Sequence, residues 1–257
     1  MNDPIKMNNA LLIRYITSLA DDSMILGQRL SELCSNGPYL EEDLAISNVA
    51  LDYIGRASMF FKYAAEVTGD GCTEDNLAFF RDERQFTNLL INELPNGDFA
   101  FTMMKQYYLD VFNTLHLTSL CQSSDSTLAA IAAKAVKESR YHLKRSKPWI
   151  RQLAGGTEES LGRIEMAIEE LESFIGEMFL MEDWEQELAN QGIAVDRSTL
   201  QSQWDDEVST FFAECGLVKT SSEIRIKGGR DGVHTEHLGH LLSEMQYMQR
   251  SYPGLDW

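Results

Sequence analysis

Histidines and carboxylates three or four residues apart on a helix share a face, and together they can hold a metal ion. That pattern occurs once near the C-terminal end, where His234 and His237 are three apart and Glu236 and His240 four apart. No acid elsewhere in the sequence stands out as their partner, and residues of these types at a helix start also serve as caps or interface pairs. A second pattern would hold two metals, with one acid from each of two helices and Glu-x-x-His from each of the other two. The stretches that could stand for it are Asp52-Tyr53-Ile54-Gly55 and Glu138-Ser139-Arg140-Tyr141, with Asp110, Asp22 and Gln28 as further polar groups on helical segments. Gly55 and Tyr141 occupy the two imidazole positions, which removes the nitrogen ligands that iron takes in such a site. His142 comes one residue late, turned about 100° from Tyr141, so it is expected to face elsewhere than the motif position. These positions read as a degenerate metal site with no catalytic residue, in which Asp22, Asp52, Asp110 and Glu138 are core or interface polar residues paired with Arg or Lys. A residual or different metal site is the alternative reading. His116, on an apolar segment, reads as a core histidine.

Other chemistries find no support. The glycines at 228, 229 and 232 fit neither nucleotide-binding spacing, and no serine near a histidine has the turn context of a nucleophile.

The elements that must position these residues are helices. Leu12, Tyr15, Ile16, Leu19, Leu26, Leu30 and Leu33 follow three-and-four spacing and predict a first helix over 8–34, stopped by Asn36-Gly37-Pro38. A second is expected from about 41 to 67, with Leu44, Val49, Leu51, Ile54, Met59, Phe60 and Ala64 as its apolar positions, before Gly69-Asp70-Gly71. A polar segment with Arg81 to Asn88 and the turn Pro95-Asn96-Gly97 leads to a third over 98–120 and a fourth over 126–152. Thr157, Glu158 and Glu159 open a fifth, with acids at the positive end of the helix dipole. Helices over 198–215 and 234–251 complete the pattern. There is no strand alternation, fixed-period repeat or low-complexity tract. The expectation is an all-α chain: one domain over 1–257, with a core four-helix bundle at 8–152 and additional C-terminal helices at 157–251.

Composition narrows the setting. The chain has 257 residues, 44% hydrophobic and 24% charged, enough to bury its own core. A formal net charge of -18 opposes binding to nucleic acid or to an anionic membrane. Against that background Lys134, Lys137, Arg140, Lys144, Arg145 and Lys147 form a local basic run, read as a solvated helix face or a salt-bridge strip. Cys34, Cys72, Cys121 and Cys215 lack C-x-x-C spacing, as expected in a reducing, cytoplasmic compartment. No stretch approaches the roughly 18 apolar residues that span a bilayer.

Several runs resemble one family over nearly the whole chain: Arg81-Asp82-Glu83-Arg84-Gln85-Phe86, Pro95-Asn96-Gly97, Lys134 to His142, Gly192-Ile193-Ala194-Val195-Asp196 and His234-Thr235-Glu236-His237-Leu238-Gly239. They are similar to the C-type subunits of the multicomponent ring 1,2-phenylacetyl-CoA epoxidases. The resemblance implies a ferritin-like fold and a structural, non-catalytic role beside a related A subunit, whose iron centre inserts oxygen into the aromatic ring. It further implies a small bridging subunit, a reductase that draws electrons from NADPH, and no cofactor in this chain. By the same resemblance Gln85, Phe86, Thr87 and Asn88 lie in a segment that could approach phenylacetyl-CoA. A catalytic dimetal oxidase or an iron-handling protein is the alternative, and an independent helical adaptor a third reading. Phe60, Phe61, Tyr107, Tyr108 and Phe112 are expected to supply an aromatic interface with the A subunit.

Overall fold

The computed structural model describes residues 4–222 and 224–255, all of them helix, turn or loop. In chain order the α-helices are α1 Pro4–Ser31, α2 Leu40–Thr68, α3 Glu74–Phe79, α4 Leu90–Glu93, α5 Phe99–Leu120 and α6 Ser126–Ala154. They continue as α7 Glu158–Ile175, α8 Asp183–Asn190, α9 Gln201–Cys215, α10 Glu236–Met245 and α11 Tyr247–Ser251. Among the described residues no helix is long and apolar enough to cross a membrane. The contacts divide the chain into two compact units. One comprises the residues up to Pro95 and those from Gly228 onward, and the other runs from Asn96 to Lys227. The grouping differs from a linear bundle followed by C-terminal helices, because the last helices return to the first.

In the first unit α1 and α2 form an antiparallel pair. Tyr15, Ile16, Ala20, Ile25 and Leu26 of α1 are buried, as are Ile46, Val49, Tyr53, Ala57, Phe60 and Ala64 of α2. The helices meet closely at Gly27, where a Cβ would lie 2.9 Å from Ile54 Cγ1, so a larger residue would force them apart. Leu44 and Leu51, which the periodicity puts among the apolar positions of α2, are 55% and 64% exposed. The buried face runs through 46, 49, 53, 57, 60 and 64, and these two leucines lie on the opposite side of the helix. At its end, Gly69, Asp70 and Gly71 all take positive φ, the expected stop.

In the second unit α5 and α6 pair, and α7 and α9 pack against them. Capping follows side-chain chemistry: Asp98 accepts from the Phe101 N–H, Asp125 from the N–H groups of Thr127 and Leu128, and Thr157 forms a capping box with Ser160. The core is aromatic. Trp204 of α9 is fully buried, its indole N–H donates to the Tyr108 carbonyl at 3.1 Å, and its ring lies 5.2 Å from that of Tyr108 and 5.6 Å from that of Phe179. Pro148 lies inside α6 without ending it.

The aromatic interface expected from sequence is not available on the surface. Phe60, Phe61, Tyr107, Tyr108 and Phe112 are each at most 4% exposed within this chain. Tyr107 and Tyr108 pack on Phe212 and each other, and Phe112 on Phe179. Aromatics on more than one face of a helix are covered here by other helices of the same unit. The final helix expected over 234–251 is likewise two, α10 and α11, breaking at Gln246, whose amide donates to the carbonyls of Ala78 and Arg81.

Candidate functional site

Two adjacent aspartates on α1 organise the segment that follows α3. Asp21 is fully buried and receives both terminal nitrogens of Arg81, as well as the backbone N–H of Thr87 at 2.9 Å and its hydroxyl. The Arg81 guanidinium also lies 4.1 Å from the Phe86 ring centroid, a cation–π contact. Asp22 faces the next stretch. It accepts from the Leu89 N–H at 2.7 Å, from the Asn92 amide at 3.0 Å and from Arg230 through two nitrogens, the closer at 2.6 Å. Since Arg230 also donates to the Thr87 carbonyl, one loop is tied to both α1 and the C-terminal segment. The fit is tight at Gly232, with φ +71°, where a Cβ would come 2.2 Å from the Arg84 carbonyl oxygen. No L side chain fits there without moving that backbone.

This strap contains the four residues that the family resemblance places near substrate. Phe86 and Asn88 are fully buried, the Asn88 amide donates to Glu93 at 2.9 Å, and Thr87 is bound to Asp21. The Gln85 side chain is exposed and caps the Asp82 N–H. Phe86, Thr87 and Asn88 are thus engaged inside the first unit, while the Gln85 side chain stays exposed. Sequence reasoning singled out the segment and missed Asp21, because a buried acid gives no signal until its arginine, sixty residues away, is known.

The histidine cluster resolves differently from its spacing. His234 precedes α10, so its three-residue separation from His237 is not a helical one, and the two do not converge. Instead the fully buried His234 side chain sits with Nδ1 2.8 Å from Glu93 Oε2 and Nε2 2.9 Å from the Phe86 carbonyl. The acid that sequence reading could not name is Glu93, itself fully buried, which also accepts from the Thr235 N–H at 2.6 Å. Thr235 caps α10, the His237 carbonyl accepts from Arg29, and His240 is exposed. Both ring nitrogens of His234 face acceptors, and only the doubly protonated imidazolium can donate to both. Burial pushes the His234 pKa down, but the hydrogen bond and charge of Glu93, the Phe86 carbonyl and the Asp21 charge together raise it above its ordinary value.

The stabilising contribution of this cation is fully present below the ordinary imidazole value of about 6.5 and is lost as pH rises through the raised one. Stability should therefore fall as the pH rises above the ordinary imidazole value, and His234→Gln should remove that part of the slope. Urea midpoints from pH 6 to 9 check this, and an unchanged slope in the variant would exclude His234 as its source.

The positions read as a degenerate metal site fall in both units. In the first, Asp52 is half-buried on α2, while Gly55 is exposed, with nothing within 4 Å of where a Cβ would be. The buried positions beside them are Tyr53 and Arg56, the Arg56 guanidinium 4.7 Å from the Tyr53 ring. In the second, Asp110 is fully buried and accepts from the Gln106 amide at 2.6 Å and the Ser146 hydroxyl at 2.8 Å. Glu138 is half-buried. Tyr141 is 61% exposed, whereas His142 is 1% exposed, which reverses the orientation expected for both. The buried face of α6 passes through Leu128, Ile131, Ala135, Ser139, His142, Ser146 and Ile150, a register that leaves Glu138 and Tyr141 to one side. His116 stacks on Phe112 at 5.6 Å, a core position as expected. Lys105, also fully buried, was missed; its signal is a lone cation inside the run Met103 to Tyr108. Among the described residues no three His, Cys, Asp or Glu side chains are grouped so as to hold a metal ion.

A helical chain whose inward-facing acids are tied up by amides, hydroxyls and arginines invites comparison with known proteins. The family model for Phenylacetic acid catabolic protein, PaaA_PaaC, matches residues 1–257. The chain belongs to that family. Its fold is accordingly all-α and ferritin-like. It is 46% identical over 246 residues to the C subunit of the 1,2-phenylacetyl-CoA epoxidase of Escherichia coli (strain K12), covering 96% of this chain and 99% of that protein.

Proposed function

We propose that this chain is the structural, non-catalytic C-type subunit of a phenylacetyl-CoA 1,2-epoxidase, supporting a dimetal A subunit in aerobic phenylacetate catabolism in the cytoplasm. The observation that carries this reading is near-full-length identity to a protein named as that subunit. The geometry supports the non-catalytic part. Asp110 is held by an amide and a hydroxyl, and the α6 face that would supply Glu-x-x-His presents Ser139 and His142 inward. In this reading the iron belongs to the A subunit, NADPH to the reductase, and the assembly also includes a small bridging subunit. The segment of Gln85, Phe86, Thr87 and Asn88 is kept in this reading as the part of the chain that approaches phenylacetyl-CoA, with Gln85 its exposed side chain.

Two measurements test it together. The purified chain, offered ferrous iron under reducing conditions, should retain far less than the about two irons per chain of a dimetal carboxylate site. With reductase alone it should give no epoxide from phenylacetyl-CoA, and adding the A subunit should restore turnover. Two bound irons, or turnover without the A subunit, would favour a dimetal oxidase or iron-handling protein instead.

A further inference from the structure

In the second unit α7, α9 and the segment after α9 line a cavity of about 200 Å³. Ile175 and Phe179 supply apolar wall, and four charged side chains, Glu172, Asp205, Lys219 and Arg225, also line it. Two of these charges answer each other, since the Lys219 ammonium donates to Asp205 and lies 5.1 Å from the centroid of the Trp204 ring. The other two do not. Glu172 Oε2 is buried and accepts no hydrogen bond among the described residues, and the exposed Arg225 makes no ion pair there. A carboxylate oxygen taken out of water without a donor is unfavourable, and it calls for a cation. Burial accordingly raises the Glu172 pKa above its ordinary value, against the opposing charge of Lys219 and with a further push from Asp205.

We propose that this cavity binds a small zwitterion, an α-amino acid with an apolar side chain. Its ammonium donates to Glu172, its carboxylate meets Arg225, and its side chain lies against Ile175 and Phe179. The charges select this class. An amine alone leaves Arg225 unanswered and sets a second cation beside it, while a carboxylate alone faces the unpaired Glu172. Water can hydrogen-bond to Glu172 but leaves its charge uncompensated. Size narrows the class further, because the volume is below the roughly 300 Å³ at which sites for drug-sized ligands begin, too little for a CoA ester. The inference stands apart from the function proposed above, since no residue of this cavity belongs to the strap or to the degenerate metal positions.

Isothermal titration of the purified chain tests this with phenylalanine and leucine, followed by two analogues of whichever binds more tightly. One analogue is the amine that lacks the carboxylate, and the other is the acid that lacks the ammonium. The amino acid should bind with a dissociation constant of about 1 mM or below. Each analogue should bind more weakly by about tenfold or more, the effect of losing one charge-assisted hydrogen bond. Glu172→Gln, which keeps the shape of the side chain and removes its charge, should weaken the amino acid by a similar factor, and so should Arg225→Gln. Glu170→Gln, the same change on the exposed side of α7, should leave affinity unchanged. Circular dichroism checks that each variant is folded, and if Glu172→Gln is not, the exposed Arg225 carries the test. The proposal is overturned if neither amino acid binds, if either analogue binds as tightly as the amino acid, or if a folded Glu172→Gln or Arg225→Gln keeps wild-type affinity.

Discussion

Asp21→Ala should cost about 3–5 kcal/mol of unfolding free energy, the range for removing one partner from a buried ion pair. The side chain has no exposure, and its removal takes the carboxylate from the Arg81 guanidinium, 12% exposed, leaving it the Leu77 and Gln85 carbonyls, and takes the acceptor from the N–H and hydroxyl of Thr87. Asp21→Asn, which keeps an acceptor of the same size, should cost less. Urea denaturation measures both, and limited proteolysis between Arg81 and Pro95 should accelerate in the alanine variant before global unfolding. A loss below about 1 kcal/mol would place this pair among ordinary surface ion pairs. The functional consequence follows from the topology, because the strap bound to Asp21 also carries Glu93 and is closed by Arg230. Its loosening should reduce assembly of an active complex at temperatures where the rest of the chain remains folded.

In the second unit the comparable change is Arg197→Met. Arg197 and Glu185 are 2% and 1% exposed, paired at 2.7 Å, and the same guanidinium donates to the Met178 carbonyl at 2.9 Å and to the Glu177 carbonyl. Truncation takes the guanidinium from a buried carboxylate, which keeps the Glu182 N–H, and from two carbonyls, of which that of Glu177 keeps the Leu180 N–H, for an expected loss again of about 3–5 kcal/mol. Arg197→Met combined with Glu185→Leu should recover much of it, since a buried pair replaced by apolar groups of similar volume is often neutral. Both variants are read by the denaturant midpoint. If the double variant is as unstable as the single, the carbonyl contacts of Arg197 matter more than its charge pairing, because those losses are common to both.

How far the sequence carried the structure depended on the range of the interactions. Helix positions were legible, since they follow from local signals: three-and-four apolar spacing, the caps Asp98, Asp125 and Thr157, and stops such as Gly69-Asp70-Gly71. Which face of each helix would be buried was less legible. On α2 the apolar residues do not fall on one stripe, so Leu44 and Leu51 counted equally with Val49 and Phe60 until the position of α1 chose between them. On α6 an acid three residues before a tyrosine suggested a register that the packing shifts by one residue, turning His142 inward and Tyr141 to solvent.

By itself the sequence determined the helical class, the family and the absence of Glu-x-x-His, because each is written in residue types at short spacing. The tertiary structure alone decided the pairs Asp21–Arg81, Asp22–Arg230 and Glu93–His234. Their partners lie 60, 208 and 141 residues apart in the chain. The chain supplies 40 acids for 22 lysines and arginines, so charge by itself does not select these partners, and burial does. A carboxylate taken out of water must find its donors, and only the folded arrangement of α1, the strap and the C-terminal helices brings those donors to it.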